Sequence, residues 1–115
     1  MAALVLVAGS AGCRGSAVPQ PPGSTKVSLS DFAFSPNSLA GKPGENVFYL
    51  VNVGKQSHDM AVVAADGKQV AKSDLVSPGD ATVFKVNLGA PGAYRIICTQ
   101  PGHEDAGMKG ALTIS

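Results

Sequence analysis

With 115 residues, the chain is long enough for one domain with a hydrophobic core and too short for two ordinary ones. An apolar fraction of 44% against 15% charged residues excludes a disordered chain. A formal net charge of +1, with Lys and Arg scattered singly, gives no basic surface for nucleic acid, so that class of partner is excluded as well.

The chain opens on "MAALVLVAGSAGC", residues 1–13, an apolar, small-residue stretch far too short to cross a bilayer. Residues 14–24 follow as a Gly/Ser/Pro-rich run. Together they read as the end of a secretory signal, or a lipoprotein-type segment, followed by a linker. The positively charged start of such a signal is missing, so the segment is expected to continue upstream of Met1. Small residues before Cys13 resemble a bacterial lipobox, with Ser10 where that pattern prefers Leu or Val. Cys13 is thus an expected point of lipid attachment to a membrane. The expected location is outside the cytoplasm, in a periplasm or on the outer face of a membrane. There Cys98 would be the one thiol left in the folded domain, out of place unless it is buried or binds metal.

From residue 25 to 115 the sequence runs in short apolar stretches separated by Gly, Pro, Asn and Asp. "KVSL" sets Val27 and Leu29 on one face, and "DFAF" shifts the phase by one residue, which predicts a bulge near Ser30 and Asp31. "NVFYLVNV" is almost continuously apolar and predicts a strand covered on both faces. "HDMAVVA" is the next strand, with Asp66-Gly67 as a hairpin turn. "KSDLVSPG" has room for one helical turn. "TVFKVNL" alternates with Phe84, Val86 and Leu88 together; "AYRIIC" aligns Tyr94, Ile96 and Cys98; "GALTIS" aligns Leu112 and Ile114. No longer window has helical periodicity. About seven to eight short strands with frequent turns predict an all-β, Greek-key, two-sheet β-sandwich.

The final stretch, "CTQPGHEDAGMKGALTIS", places Cys98, His103 and Met108 with four residues in each gap. Two sulfurs and an imidazole suit copper better than calcium or magnesium, and Pro101, Gly102 and Gly107 let the loop fold back to aim them at one point. A trigonal copper plane needs a second imidazole, and the other histidine, His58, stands just before an apolar strand. His58, Cys98, His103 and Met108 are the candidate metal ligands for one copper ion. Met60 is a rival sulfur, but its place inside a strand marks it as core.

With this ligand order and spacing the chain resembles the cupredoxins, the small type 1 blue copper proteins. The final stretch is similar to the ligand loop of their azurin, rusticyanin and auracyanin branches. The resemblance spans residues 25–115. It implies two ring-nitrogen ligands from His58 and His103, a thiolate from Cys98 and a weak axial thioether from Met108, with the Ser57 carbonyl near the metal. It also implies that His103 shows a ring edge to solvent within an apolar rim of Pro101, Gly102, Ala106 and Gly107, where a redox partner docks transiently. Glu104 and Asp105 lie beside that edge. Many family members have Asn after the first histidine; here it is Asp59, whose carboxylate could accept from the Thr99 hydroxyl or amide. The implied function is one-electron transfer by a monomer, without enzymatic activity. A copper chaperone or sensor is the alternative, expected to carry Met/His-rich segments that this sequence lacks.

Overall fold

Alternation of apolar and polar residues builds the first sheet. The computed structural model describes residues 18–115, so the expectations for residues 1–13 and for Cys13 lie outside the described residues. β1 (Thr25–Ser30) pairs in parallel with β4 (Gly44–Asn52) and antiparallel with β2 (Ala33–Ser35), and β4 pairs antiparallel with β7 (Ala81–Leu88). The order of this sheet is β2-β1-β4-β7. The second sheet runs β3-β9-β8-β5-β6, from β3 (Ser38–Gly41), β9 (Lys109–Ile114), β8 (Gly92–Ile97), β5 (Ala61–Val63) and β6 (Gln69–Lys72).

The inward faces meet as expected for a sandwich. Val27, Leu29, Phe48, Leu50, Phe84, Val86 and Leu88 come from the first sheet, and Val62, Ile96, Leu112 and Ile114 from the second; all are buried in one cluster. Asp66 and Gly67 turn the β5–β6 hairpin, with Gly67 at a φ of 90°. The chain is all-β among the described residues, with nine strands against the seven to eight expected. The surplus comes from β2, which the expected bulge joined to β1, and from β3, only four residues long.

Three local expectations are corrected. The phase shift at Ser30 and Asp31 is a tight turn, not a bulge: Asp31 and Phe32 form its tip, and Ser30 pairs with Ala33. Phe34 therefore enters the core, while Phe32 stays at the end of the sandwich. β4 is fully covered on one face only; Phe48 and Leu50 are buried, whereas Val47, Tyr49 and Val51 are half-buried. Its outer face receives the segment before β1, where the Tyr49 hydroxyl donates to the Val18 carbonyl at 2.6 Å. "KSDLVSPG" holds no helical turn. Its Val76 instead bridges to His58, and a turn closes with the Asp80 amide donating to the Ser77 carbonyl at 3.0 Å.

Leu50 tests this core. It is completely buried, so Leu50→Ala should cost about 2–5 kcal/mol of unfolding free energy in a denaturant titration. Val53→Ala, one residue past the end of β4 and 62% exposed, should stay within about 0.5 kcal/mol of the parent.

Candidate metal centre

One end of the sandwich gathers the chemically distinctive side chains. His58 stands at the entry to β5, held by a two-way backbone bridge to Val76 at 3.1 and 2.8 Å. The preceding loop is stapled by the buried Asn52 side chain, which donates to the carbonyls of Gln56 and Val76 and accepts from the Gly54 amide, each at 2.8 Å. Cys98 follows the last residue of β8, where alternation turns its side chain inward with that of Ile96. The segment from Thr99 to Met108 coils back on itself. The His103 amide donates to the Gln100 carbonyl at 3.0 Å, the Met108 amide to the His103 carbonyl at 3.0 Å, and the Cys98 amide to the Met108 carbonyl at 3.2 Å. Gly102 and Gly107 supply the positive φ values, 81° and 118°, that this tight path requires.

The three donors face one another. The two Nδ1 atoms of His58 and His103 lie 3.2 Å apart, and Cys98 Sγ lies 4.0 Å from the first and 3.5 Å from the second. All three residues are buried. His58 Nε2 lies 2.6 Å from Asp31 Oδ1, and His103 Nε2 lies 3.1 Å from Gln56 Oε1. Both partners are oxygen acceptors, so each ring donates from Nε2 and, when neutral, turns an Nδ1 lone pair inward. Two lone pairs and a thiol sulfur at these distances form a cluster that a cation satisfies. An ion with bonds of about 2.0 Å to nitrogen and 2.3 Å to sulfur needs donors roughly 3.3–3.8 Å apart, close to what is observed. Two imidazoles and one sulfur are the donor set that copper favours over hard cations.

Carboxylates flank the cluster. Asp59, buried, accepts from the Thr99 amide at 2.7 Å, the Thr99 hydroxyl at 2.6 Å and the Gln100 side-chain amide at 3.2 Å. It ties the strand after His58 to the residues after Cys98, as the sequence suggested it could. Asp31 accepts from the Lys55 amide at 3.0 Å and the Gln56 amide at 3.3 Å as well as from His58. The Lys55 amide foremost, then His58 and Gln56, outweigh desolvation and hold the Asp31 carboxyl below its ordinary value. Burial pushes the Cys98 thiol up; the backbone amides of Asp59 and Gln100 oppose this, while the Asp59 charge adds to it.

Of the four candidate ligands, His58, Cys98 and His103 are brought together directly. Met108 is completely buried, and its backbone is bonded to both Cys98 and His103. Met60 is equally buried, and it shares the core cluster with Met108 and Cys98. His103 is less open than expected, at 7% exposure. Gln56 covers its Nε2, and the Phe32 ring packs against it with centroids 4.8 Å apart. Pro101, Gly102, Ala106 and Gly107 are exposed around it. Glu104 lies 3.7 Å from Arg95, leaving Asp105 as the loop's other acid. Sequence reasoning missed Asp31, Phe32 and Gln56 as site residues.

A family model described as copper binding proteins of the plastocyanin/azurin family matches residues 22–115. The chain belongs to this family. Its fold is that of the cupredoxins, and copper is the cofactor that its His/Cys/His cluster fits. Auracyanin-B of Chloroflexus aurantiacus is 33% identical over 75 residues, which cover 63% of this chain and 32% of that protein. The chain thus spans about a third of the length of that curated relative. A solved structure of auracyanin B superposes with a TM-score of 0.72 at 25% identity, covering 88% of this chain and 96% of that one. Dithionite-reduced auracyanin from Roseiflexus castenholzii shares the fold, with a TM-score of 0.72 at 18% identity over 84% of this chain and 99% of that one.

The raised Cys98 thiol sets a pH dependence. A copper–thiolate bond needs the deprotonated sulfur, and the metal-free fold keeps the proton up to its elevated pKa. Loading should therefore release a proton from this group. Below that pKa, its contribution should weaken apparent copper affinity about tenfold for each unit of pH lost. Competition titrations against a chelator at several pH values, with proton release followed in weak buffer, measure both quantities.

Proposed function

We propose that the protein is a one-electron carrier built around a single type 1 copper ion, held by His58 Nδ1, His103 Nδ1, the Cys98 thiolate and, as a weak axial ligand, the Met108 thioether. The observation that carries this reading is the convergence of the three buried donors at 3.2–4.0 Å, on a fold whose family binds copper. Bound copper supplies the one-electron couple. The chain supplies a rigid cage: Asp59 clamps the Cys98 side to the His58 side, Asn52 and Asp31 fix the loop before His58, and the coiled ligand loop fixes His103 and Met108. A cage that keeps its shape in both oxidation states lowers the reorganisation that electron transfer requires.

A redox partner docks transiently at the His103 edge, against Phe32 and the exposed Pro101, Gly102, Ala106 and Gly107. The protein works as a monomer outside the cytoplasm, lipid-anchored at Cys13 or released nearby; the leader-like residues 1–13 support that placement. Function as a carrier is favoured over copper delivery by burial. A chaperone hands its metal on through accessible ligands, whereas His58, Cys98 and Met108 are each no more than 1% exposed.

The copper-loaded protein should be intensely coloured when oxidised and show a reversible one-electron wave. Cys98→Ser should abolish the colour and the wave. Met108→Leu should keep the colour and raise the reduction potential, because it removes only the weak axial donor. Visible and electron-paramagnetic-resonance spectra with voltammetry decide this. A colourless Cu(II) complex with tetragonal resonance parameters would remove the type 1 reading, and a potential moved by Met60→Leu but not by Met108→Leu would reassign the axial ligand.

A further inference from the structure

The parallel pairing of β1 with β4 places Leu29 beside Asn52, and so brings Asp31, two residues further on, against Gly54 and the loop leading to His58. The Asp31 side chain is 22% exposed and uses both oxygens there. Oδ1 takes His58 Nε2 at 2.6 Å and the Gln56 amide at 3.3 Å, and Oδ2 takes the Lys55 amide at 3.0 Å. The Gln56 whose amide it holds extends Oε1 to His103 Nε2 at 3.1 Å. One carboxylate therefore contacts one imidazole directly and reaches the other through the loop it anchors.

We infer that Asp31 is a positioning residue for the copper site: its carboxylate fixes His58 in the Nε2–H tautomer, makes Nδ1 a stronger donor, and seats the loop that carries Gln56 to His103. This inference rests on the copper-carrier reading and adds the residue that tunes it. Three N–H donors converge on two oxygens, which only an acceptor-only group satisfies; an amide in the same place would turn its own N–H₂ toward at least one of them. A carboxylate behind a ligating imidazole raises ligand basicity and adds negative charge, and both favour Cu(II) over Cu(I). Gly54 makes room for it. A Cβ there would collide with Asp31 Oδ1, so glycine is required by the carboxylate and not by any unusual φ.

The test has arms that do and do not involve copper. Nitrogen-15 NMR of the metal-free, full-length protein should show the His58 proton on Nε2; a proton on Nδ1 in its place overturns the inference. Asp31→Asn should keep the copper colour while lowering the Cu(II)-to-Cu(I) affinity ratio at least about tenfold, an upward shift in potential of about 59 mV per tenfold. Gly54→Ala, which displaces the carboxylate without changing any charge or ligand, should move the potential in the same direction. A folded, coloured Asp31→Asn protein with the parental potential overturns the inference. If that variant does not fold, Gly54→Ala and the NMR of the parent protein decide in its place, an unmoved potential in Gly54→Ala again overturning it. A parent protein that binds copper without colour defeats the carrier reading, while the NMR arm still judges the tautomer.

Discussion

Two imidazole nitrogens with inward lone pairs and a cysteine sulfur do not settle 3.2–4.0 Å apart on their own account; without a cation the one thiol proton can serve only one of the two lone pairs, and water would solvate them better separately. The protein must hold them together by force of packing and hydrogen bonding elsewhere. That constraint explains why the donors sit at the end of a sandwich and not on an open loop. Each is anchored to a strand that the core immobilises: His58 to β5, Cys98 to β8, and His103 to the loop that enters β9.

The same constraint explains the density of polar contacts around the site. Asn52, Asp59 and His58 are buried polar residues, and the Asn52 amide, the Asp59 carboxylate and the Nε2 edge of His58 all find hydrogen-bond partners. A fully satisfied buried network specifies one arrangement, whereas a partly satisfied one would let the donors relax apart. Asp59 and Asp31 approach from different sides. One ties the Cys98 side of the site to the strand after His58, and the other ties the far edge of His58 to the turn after β1. Both are carboxylates, which gives the pocket more negative charge than amides in those places would.

Much of this was legible in the sequence, for physical reasons that can be stated. Strand alternation put Phe84, Val86 and Leu88 on one face, and aligned Leu112 with Ile114, because a buried sheet face demands period two; all five are buried. The convergence of His58, Cys98 and His103 was legible because a soft-donor cluster draws on a short loop and on the one other imidazole of the chain. Asp31 was not legible. Its role follows from the register of a parallel strand pair that joins segments more than twenty residues apart, and nothing local to "LSDFAF" announces that register. The phase shift around Phe32 does not by itself distinguish a turn from a bulge, since a tight turn and an extra residue shift alternation alike. Gln56 was hidden for the same reason as Asp31: its side chain matters only through what the tertiary fold sets opposite it.

The raised pKa of Cys98 has a consequence for the chain before it meets its metal. Oxidation and disulfide exchange proceed through the thiolate, and a buried, protonated sulfur offers very little of it. Folding therefore shields the one cysteine of the described domain during the interval between synthesis and loading. The same elevation lowers the thiolate fraction through which peroxide or a passing disulfide attacks the empty protein. The packing that gathers the donors is thus also the packaging that covers the one thiol among them.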